Sequence, residues 1–245
     1  MPKYIKVIKD KNVEVTYMNK DIKISEDDQK LIDAYWKTMP SFFTRGKIFV
    51  VDKFEEDENN LLINVLNSDY AHYIFVRKNP GKVRDCYNLW AGILLETLDN
   101  KYVVGRMSKI TSSEGEYHIS GGSCDKNDIV NGKMNYENTM YRELKEEMGL
   151  EKSDLKNVEM KFMKKASFKE QDIGIIYKAI VNMSSKELDN YYNKYLEKLR
   201  NENGEIEFDN LLYIDKNEKA INEFGLSSQT TDYTIQLLLK DISEK

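Results

Sequence analysis

Three glutamates on one predicted helix carry the strongest chemical signal in this chain. In Tyr141-Arg142-Glu143-Leu144-Lys145-Glu146-Glu147-Met148-Gly149-Leu150, Glu143, Glu146 and Glu147 stand at i, i+3 and i+4, so on a helix their carboxylates converge on one edge about one turn tall. Like charges placed this way repel, at a cost of ~0.2–0.5 kcal/mol per pair in an isolated helix. Arg142 or Lys145 can offset the repulsion, and so can a hard divalent cation that takes the carboxylate oxygens as ligands. A solvated acidic face is the ordinary explanation of a Glu-rich helix. Here, however, the run stops on Gly149, where a left-handed cap is wanted, with Leu150 following to pack and Leu144 on the opposite face.

Arg142 to Leu150 resemble the second half of the Nudix hydrolase box, Gx5Ex7REUxEExGU with U aliphatic, at every defined position. Gly122, preceded by Gly121, resembles the glycine that opens the box, but Arg142 lies 20 positions beyond it instead of 14, which implies a six-residue insertion. Counting forward from Gly122 places the box glutamate on Asp128, and counting back from Arg142 places it on Met134. Glu137, at the start of the helix, is a further stand-in, although the helix dipole alone would favour an acid there.

The resemblance implies Mg²⁺ or Mn²⁺ bound by Glu143, Glu146 and Glu147, with the Gly121 carbonyl as an additional ligand. Glu143 and Glu146 are placed in the catalytic set together with Arg142, whose part is to orient the glutamates. A further glutamate from outside the box, acting as base or ligand, is sought among Glu170, Glu205 and Glu207. Arg106, beside Ser108, is the candidate phosphate contact. The layout of Trp36, residues 42–50 and 60–70, Trp90-Ala91-Gly92-Ile93 and residues 102–108 is similar to Nudix proteins that hydrolyse UDP-glucose or UDP-galactose.

Other signatures are absent. The two histidines, His72 and His118, have no matching partner set and read as hydrogen-bonded structural residues, with His118 near enough to Gly122 to reach a site there. Gly121-Gly122-Ser123-Cys124-Asp125 imitates a nucleophile elbow but ends in Asp instead of Gly. Cys86 and Cys124 are too few for a disulfide framework and read as plain thiols. The 16 Tyr and 9 Phe are mostly core, so no single one is singled out as a base platform.

The elements that must position these groups follow from pattern. Short strands are expected at 4–10 and 12–17, then a helix capped by Ser25 running to about Thr38, with Leu31, Ile32, Tyr35, Trp36 and Met39 on one face and Pro40 after it. Strands at 47–52, 60–66 and 72–77 complete a β-rich front portion. Next come a hairpin of 89–95 and 102–107, a short strand ending at Gly122, the glutamate helix at 137–148, strands at 158–166 and 173–181, a helix from 184 or 185 to 199, a strand at 207–214 and a closing helix at 230–242. Loose alternation without a βαβ rhythm predicts a mixed sheet with helices on both faces. With the resemblance, this becomes an α/β fold: a Nudix-type α/β/α sandwich at 85–245, preceded by a small β-rich extension with one helix at 1–84.

With 40% hydrophobic and 32% charged residues and no apolar run near ~18–20 residues, the chain reads as soluble, and its start lacks a secretory stretch, so a cytoplasmic location is expected. A net charge of −5 without a basic block argues against nucleic acid as partner and leaves small anions carried by a metal. The function expected is metal-dependent cleavage of the pyrophosphate in a small nucleoside diphosphate-linked compound, preferably a nucleotide sugar. ADP-ribose, nucleoside triphosphates and capped RNA are the alternatives within the same chemistry, and a homodimer could form through the extension. A non-catalytic nucleotide sensor on the same fold is the alternative that the altered first half of the box favours; the three retained glutamates speak against it. A scaffold built on the amphipathic helices has only generic features behind it.

Overall fold

The computed structural model describes residues 4–41, 43–165, 172–230 and 233–244. The front portion holds β1 (Ile5–Val7), β2 (Asn12–Asp21), α1 (Glu26–Trp36), β3 (Lys47–Glu56), β4 (Asn60–Asp69) and α2 (Tyr70–Lys78). Then follow β5 (Asn88–Glu96), β6 (Lys101–Met107), β7 (Tyr117–His118), β8 (Ser120–Ser123), β9 (Ile129–Val130), β10 (Lys133–Met134) and α3 (Tyr136–Met148). The chain closes with β11 (Leu155–Lys164), β12 (Asp172–Val181), α4 (Ser185–Glu202), β13 (Phe208–Asp215), α5 (Glu218–Ser227) and α6 (Thr234–Ser243).

Strand β5 organises the molecule. It is buried along its whole length and runs parallel to β12 from Asn88 to Glu96. Antiparallel β11 and then β1 extend that flank. On the other flank three strands share β5: β3 at Asn88, β8 along Trp90 to Ile93, and β6 at Leu95 and Glu96. Leu89, Ala91, Ile93 and Leu95 enter a core with Leu144 of α3 and Leu188 of α4, while Trp90 and Leu94 enter a second core with Phe224 of α5 and Leu237 of α6. A strand buried on both faces needs such a continuous apolar run. The result is the expected α/β/α sandwich on a mixed sheet. Among the described residues no helix is long and apolar enough to cross a membrane.

Two segments depart from the expected elements. Residues 72–77, expected as a strand, lie inside α2: Asp69 caps it by accepting the His72 N–H at 2.9 Å, and Ala71 to Val76 are all buried. Ile74 and Val76 pack with Ile48 and Val50, and Ala71 and Phe75 with Ile32 of α1, so the helix is enclosed on two sides. A helix buried that way loses its amphipathic stripe, and a short apolar run then cannot be told from a strand by periodicity. Helix α5 was not expected; only Ile221 and Phe224 of it are buried, while Leu226 is exposed.

The six-residue insertion takes a definite form. β9 and β10 make a hairpin around Asn131 and Gly132, whose φ values of 51° and 77° are those of a type I′ turn. Lys133 of the hairpin pairs with Thr16 of β2 and its ammonium lies 2.8 Å from Glu14, so the insertion ties the loop before α3 to the front portion.

Candidate active site

Helix α3 is fixed at both ends. Asn135 caps it by accepting the Asn138 N–H, and Gly149 ends it at φ 70°, its N–H donating to the Lys145 carbonyl. The carbonyls at this end also accept from α4: the Tyr191 hydroxyl donates to Gly149 O, and the Tyr195 hydroxyl lies 3.0 and 2.9 Å from Lys145 O and Glu146 O. Met140, Leu144 and Met148 point into the core, which turns Glu143 and Glu147 toward β8.

At β8 the backbone approaches the carboxylates closely. The Gly121 N–H donates to Glu147 Oε2 at 2.9 Å. A Cβ on Gly122 would fall 2.4 Å from Glu143 Cδ, and one on Gly121, at φ 153°, would fall 2.5 Å from Gly92 Cα. Gly121 therefore has no room for a side chain, whereas one at Gly122 would displace the Glu143 carboxylate. Gly122→Ala is expected to push the Glu143 carboxylate aside and lower turnover ~10²-fold, the loss that a misplacement of about 1 Å can bring. Its stability cost should be about 1–3 kcal/mol, as for other overpacked sites. Steady-state kinetics beside thermal melts check both.

Arg142 gathers the charges around it. Its guanidinium meets Glu143 Oε1 at 2.5 Å, Glu146 Oε2 at 3.4 Å, the Ser123 carbonyl at 3.0 Å and Asp128 Oδ2 at 3.4 Å. Burial works against its charge, yet Glu143 and Asp128 hold it above the usual arginine range. Asp128 is itself buried and accepts from the Thr139 hydroxyl at 2.7 Å and the Asp125 N–H at 3.0 Å. Its carboxylate thus locks the inserted loop to α3 and to Arg142. Glu137 is far from this arrangement in role: it lies beside Lys152 at 3.7 Å on the helix exterior. Asp128→Ala is expected to cost about 2–3 kcal/mol in chemical denaturation, since three donors, one of them charged, lose a buried acceptor.

Glu143, Glu147, Glu205 and Glu207 line one cleft of ≈330 Å³ with residues 121–123. Burial pushes the Glu143 carboxyl up to about 7, against the pull of Arg142, and Glu207 adds to the rise. Burial also holds Glu147 well above the carboxylate range, reinforced by the charges of Glu143 and Glu207. Glu207 is raised too, first by burial and then by Glu146 and Glu205. Several acids facing one another with a single guanidinium is a donor set that suits a divalent cation. Among the described residues no three carboxylate, histidine or thiol groups converge into a ready cage. Glu143 and Glu147 are the pair the cleft offers, and hard cations such as Mg²⁺ commonly take one or two protein carboxylates and fill their other places with water and substrate oxygens.

The remaining candidates fall in different places. Glu146 is on the exposed rim, touching Arg142 and not lining the cleft. Of the three glutamates sought outside the box, Glu207 is half-buried in the cleft, held there because the Ser108 N–H donates to its carbonyl at 2.7 Å; Glu205 is exposed on the cleft rim, and Glu170 lies outside the described residues. Arg106 pairs with Asp209 at 2.8 Å and lines a separate hollow of ≈700 Å³ with Lys109 and Arg200, which shares Ile110 and Glu205 with the cleft. His118 lines the cleft and lies 3.3 Å from Glu116, while His72 is buried and hydrogen-bonded to Ser68 and to the Arg84 carbonyl. Tyr70 of α2 and Asn88 of β5 were not anticipated near the site. Tyr70, Tyr73 and Arg77 do stand at helical spacing, a signal hidden once their segment is read as a strand.

No protein-family model matches the chain, and no curated protein matches it. Among solved structures it is similar to a Deinococcus radiodurans protein designated DR0079, with 13% identity over 80% of this chain and 98% of that one and a TM-score of 0.49. A NUDIX hydrolase from Alicyclobacillus acidocaldarius is similar at 10% identity, 65% and 92% coverage and a TM-score of 0.46. The NUDIX domain of Shewanella oneidensis NrtR, solved in complex with ADP ribose, is similar at 12% identity, 69% and 96% coverage and a TM-score of 0.41.

Proposed function

We propose that this chain is a Nudix pyrophosphohydrolase, cleaving the diphosphate of a nucleoside diphosphate-linked compound, with nucleotide sugars as the preferred substrates. The observation that carries this reading is the burial of Glu143 and Glu147, with half-buried Glu207 beside them, around one cleft next to the glycines of β8. Glu143 and Glu147, with Glu146 at the rim and the Gly121 carbonyl, would hold Mg²⁺ or Mn²⁺, which when bound supplies positive charge to diphosphate oxygens and acidifies water. Arg142 orients Glu143, and Asp128 in turn holds Arg142, taking the place of the box glutamate missing from the sequence. Glu207 is the group set to accept a proton at its carboxylate. The neighbouring hollow carries Arg106, Lys109 and Arg200 against Glu114, Glu205 and Asp209, and Arg106, released from Asp209, is the group that would meet an anionic part of the substrate beyond the cleft.

The Asp128 contact to Arg142 weighs against the sensor alternative, whose support was the altered first half of the box. Cys86 and Cys124 are buried thiols pushed up to about 12 by that burial, so neither serves as a nucleophile in the reaction. Phosphate release in a coupled phosphatase assay, across nucleotide sugars, ADP-ribose and nucleoside triphosphates with Mg²⁺ or Mn²⁺, tests the reading. The expected result is turnover of UDP-sugars that EDTA removes. Turnover that survives EDTA, or silence across the whole panel, would overturn it.

A further inference from the structure

The inserted hairpin is closed at its base, where the Asn135 N–H donates to the Asp128 carbonyl at 2.6 Å. Residues 129–134 therefore stand apart as a unit. Without them Arg142 would follow Gly122 by 14 positions, with Asp128 at the place of the box glutamate. The tip and one flank of the hairpin rest on β2. The Tyr17 N–H donates to the Gly132 carbonyl at 3.0 Å, Lys133 pairs with Thr16, and Met134, 3% exposed, shares one core with Val15. Strand β2 also reaches α3 directly: the hydroxyl of Tyr136, the first residue of the helix, donates to the Val13 carbonyl at 3.0 Å.

The support under the hairpin is firm. β2 runs parallel to β4 from Asn12 to Tyr17, β4 pairs with β3 from Lys47 to Glu56, and the Tyr17 ring meets Phe49 of β3 edge-on at 5.1 Å. Inward, the contact passes through one residue. Asp128 directly precedes β9, and its carboxylate receives the Thr139 hydroxyl and Arg142, which in turn holds Glu143 and the Ser123 carbonyl. Aspartate is one methylene shorter than the glutamate whose place it takes. Its backbone must therefore stand closer to Arg142 for the carboxylate to arrive, and a hairpin braced against β2 holds it there.

We infer that β2 of the front portion positions the cation site, acting through the hairpin and Asp128 on Arg142 and Glu143. The inference rests on the pyrophosphohydrolase reading for the cation at Glu143 and Glu147. Asp128, Met134 and Tyr136 are positioning residues: they act on the cation through the groups that hold it. Partners that orient a metal's ligands are worth about 10–100-fold in metal affinity. The front portion is by this reading a working part of the site.

Mn²⁺ binding to the full chain, followed by electron paramagnetic resonance without substrate, tests it. Excision of residues 129–134 should weaken Mn²⁺ about tenfold or more. Asp128→Glu should weaken it in the intact chain, where the carboxylate is enclosed by Thr139, the Asp125 N–H and Arg142. In the excised chain the same change should restore affinity to within about threefold, because changes that share a contact do not add. Tyr136→Phe removes one hydroxyl and no packing; it should weaken Mn²⁺ about threefold through the lost bond to β2, and it decides the matter if the excised chain does not fold. Glu56→Gln loosens the front portion away from the hairpin, at Lys6 and Lys165, and should leave Mn²⁺ affinity unchanged. Unchanged affinity in the excised chain or in Tyr136→Phe, an equal loss in Glu56→Gln, or no rescue by Asp128→Glu overturns the positioning role. The two readings fail separately. A chain that hydrolyses nothing yet binds Mn²⁺ in a hairpin-dependent way overturns the hydrolase alone, turnover that EDTA removes with affinity untouched by excision overturns the positioning alone, and a chain that binds no Mn²⁺ overturns both.

Discussion

Glu147→Gln is expected to lower turnover at least ~10³-fold while the protein stays folded. Metal-borne charge stabilisation is worth several kcal/mol, and each 1.36 kcal/mol is a factor of ten in rate. Glutamine keeps almost the same volume and can still accept the Gly121 N–H, which lies 2.9 Å from the carboxylate now. What it removes is the negative charge that burial, Glu143 and Glu207 all disfavour without a cation. The ligand-free melting temperature should therefore hold or rise, and the rise that Mg²⁺ brings to the unaltered protein should shrink, because a cation that binds only the folded state stabilises it in proportion to its affinity. A lower melting temperature with full activity would mean that Glu147 is a structural acid.

The second large effect concerns stability far from the cleft. Asp241 of α6 has a fully buried side chain and accepts from Lys161 at 2.7 Å, Lys178 at 2.6 Å and the Tyr102 hydroxyl at 2.6 Å, with Lys216 at 3.6 Å. Glu96 shares Lys178 and Lys216, at 3.3 and 2.6 Å. Three lysines thus depend on two acids beneath the closing helix. Asp241→Asn should cost about 3–5 kcal/mol, the range for breaking one side of a buried pair, and lower the melting temperature on the order of 10 °C. The same network sets an acid limit. Burial opposes the Asp241 charge, but the lysines and Tyr102 hold its carboxyl down to about 2. Since this lies below the ordinary aspartate value of about 3.9, its contribution is complete above about pH 4 and disappears as the pH falls toward 2, on the order of 2–3 kcal/mol in all. Denaturation at pH 5 and pH 3, with Asp241→Asn showing the smaller difference, checks the sign.

The site was most legible where sequence spacing alone fixes geometry. Glu143 and Glu147 are one helical turn apart, Leu144 falls on the opposite face and Gly149 on the cap, so the face and the stop of α3 are legible directly. What depended on distant pairing could not. Glu207 enters the cleft through the pairing of β13 with β6, and nothing local distinguishes it from Glu205. The insertion could be counted as six residues, whereas its form as a hairpin bound to β2 needed the front sheet. Asp128 was reachable by counting, but its role became plain only when the loop carried it against Arg142 and Thr139. Helix α2 was misread because it is buried between α1 and the sheet, where tertiary packing erases the polar face that marks a helix.

The most direct test of the central claim is hydrolysis of UDP-glucose in heavy-oxygen water, with the products weighed by mass spectrometry for the unaltered chain, for Glu147→Gln and in EDTA. The account predicts two monophosphates, one of them carrying a single oxygen from water, formed only by the unaltered chain with Mg²⁺ or Mn²⁺ present. Label appearing at the same rate in Glu147→Gln, or in EDTA, would contradict it.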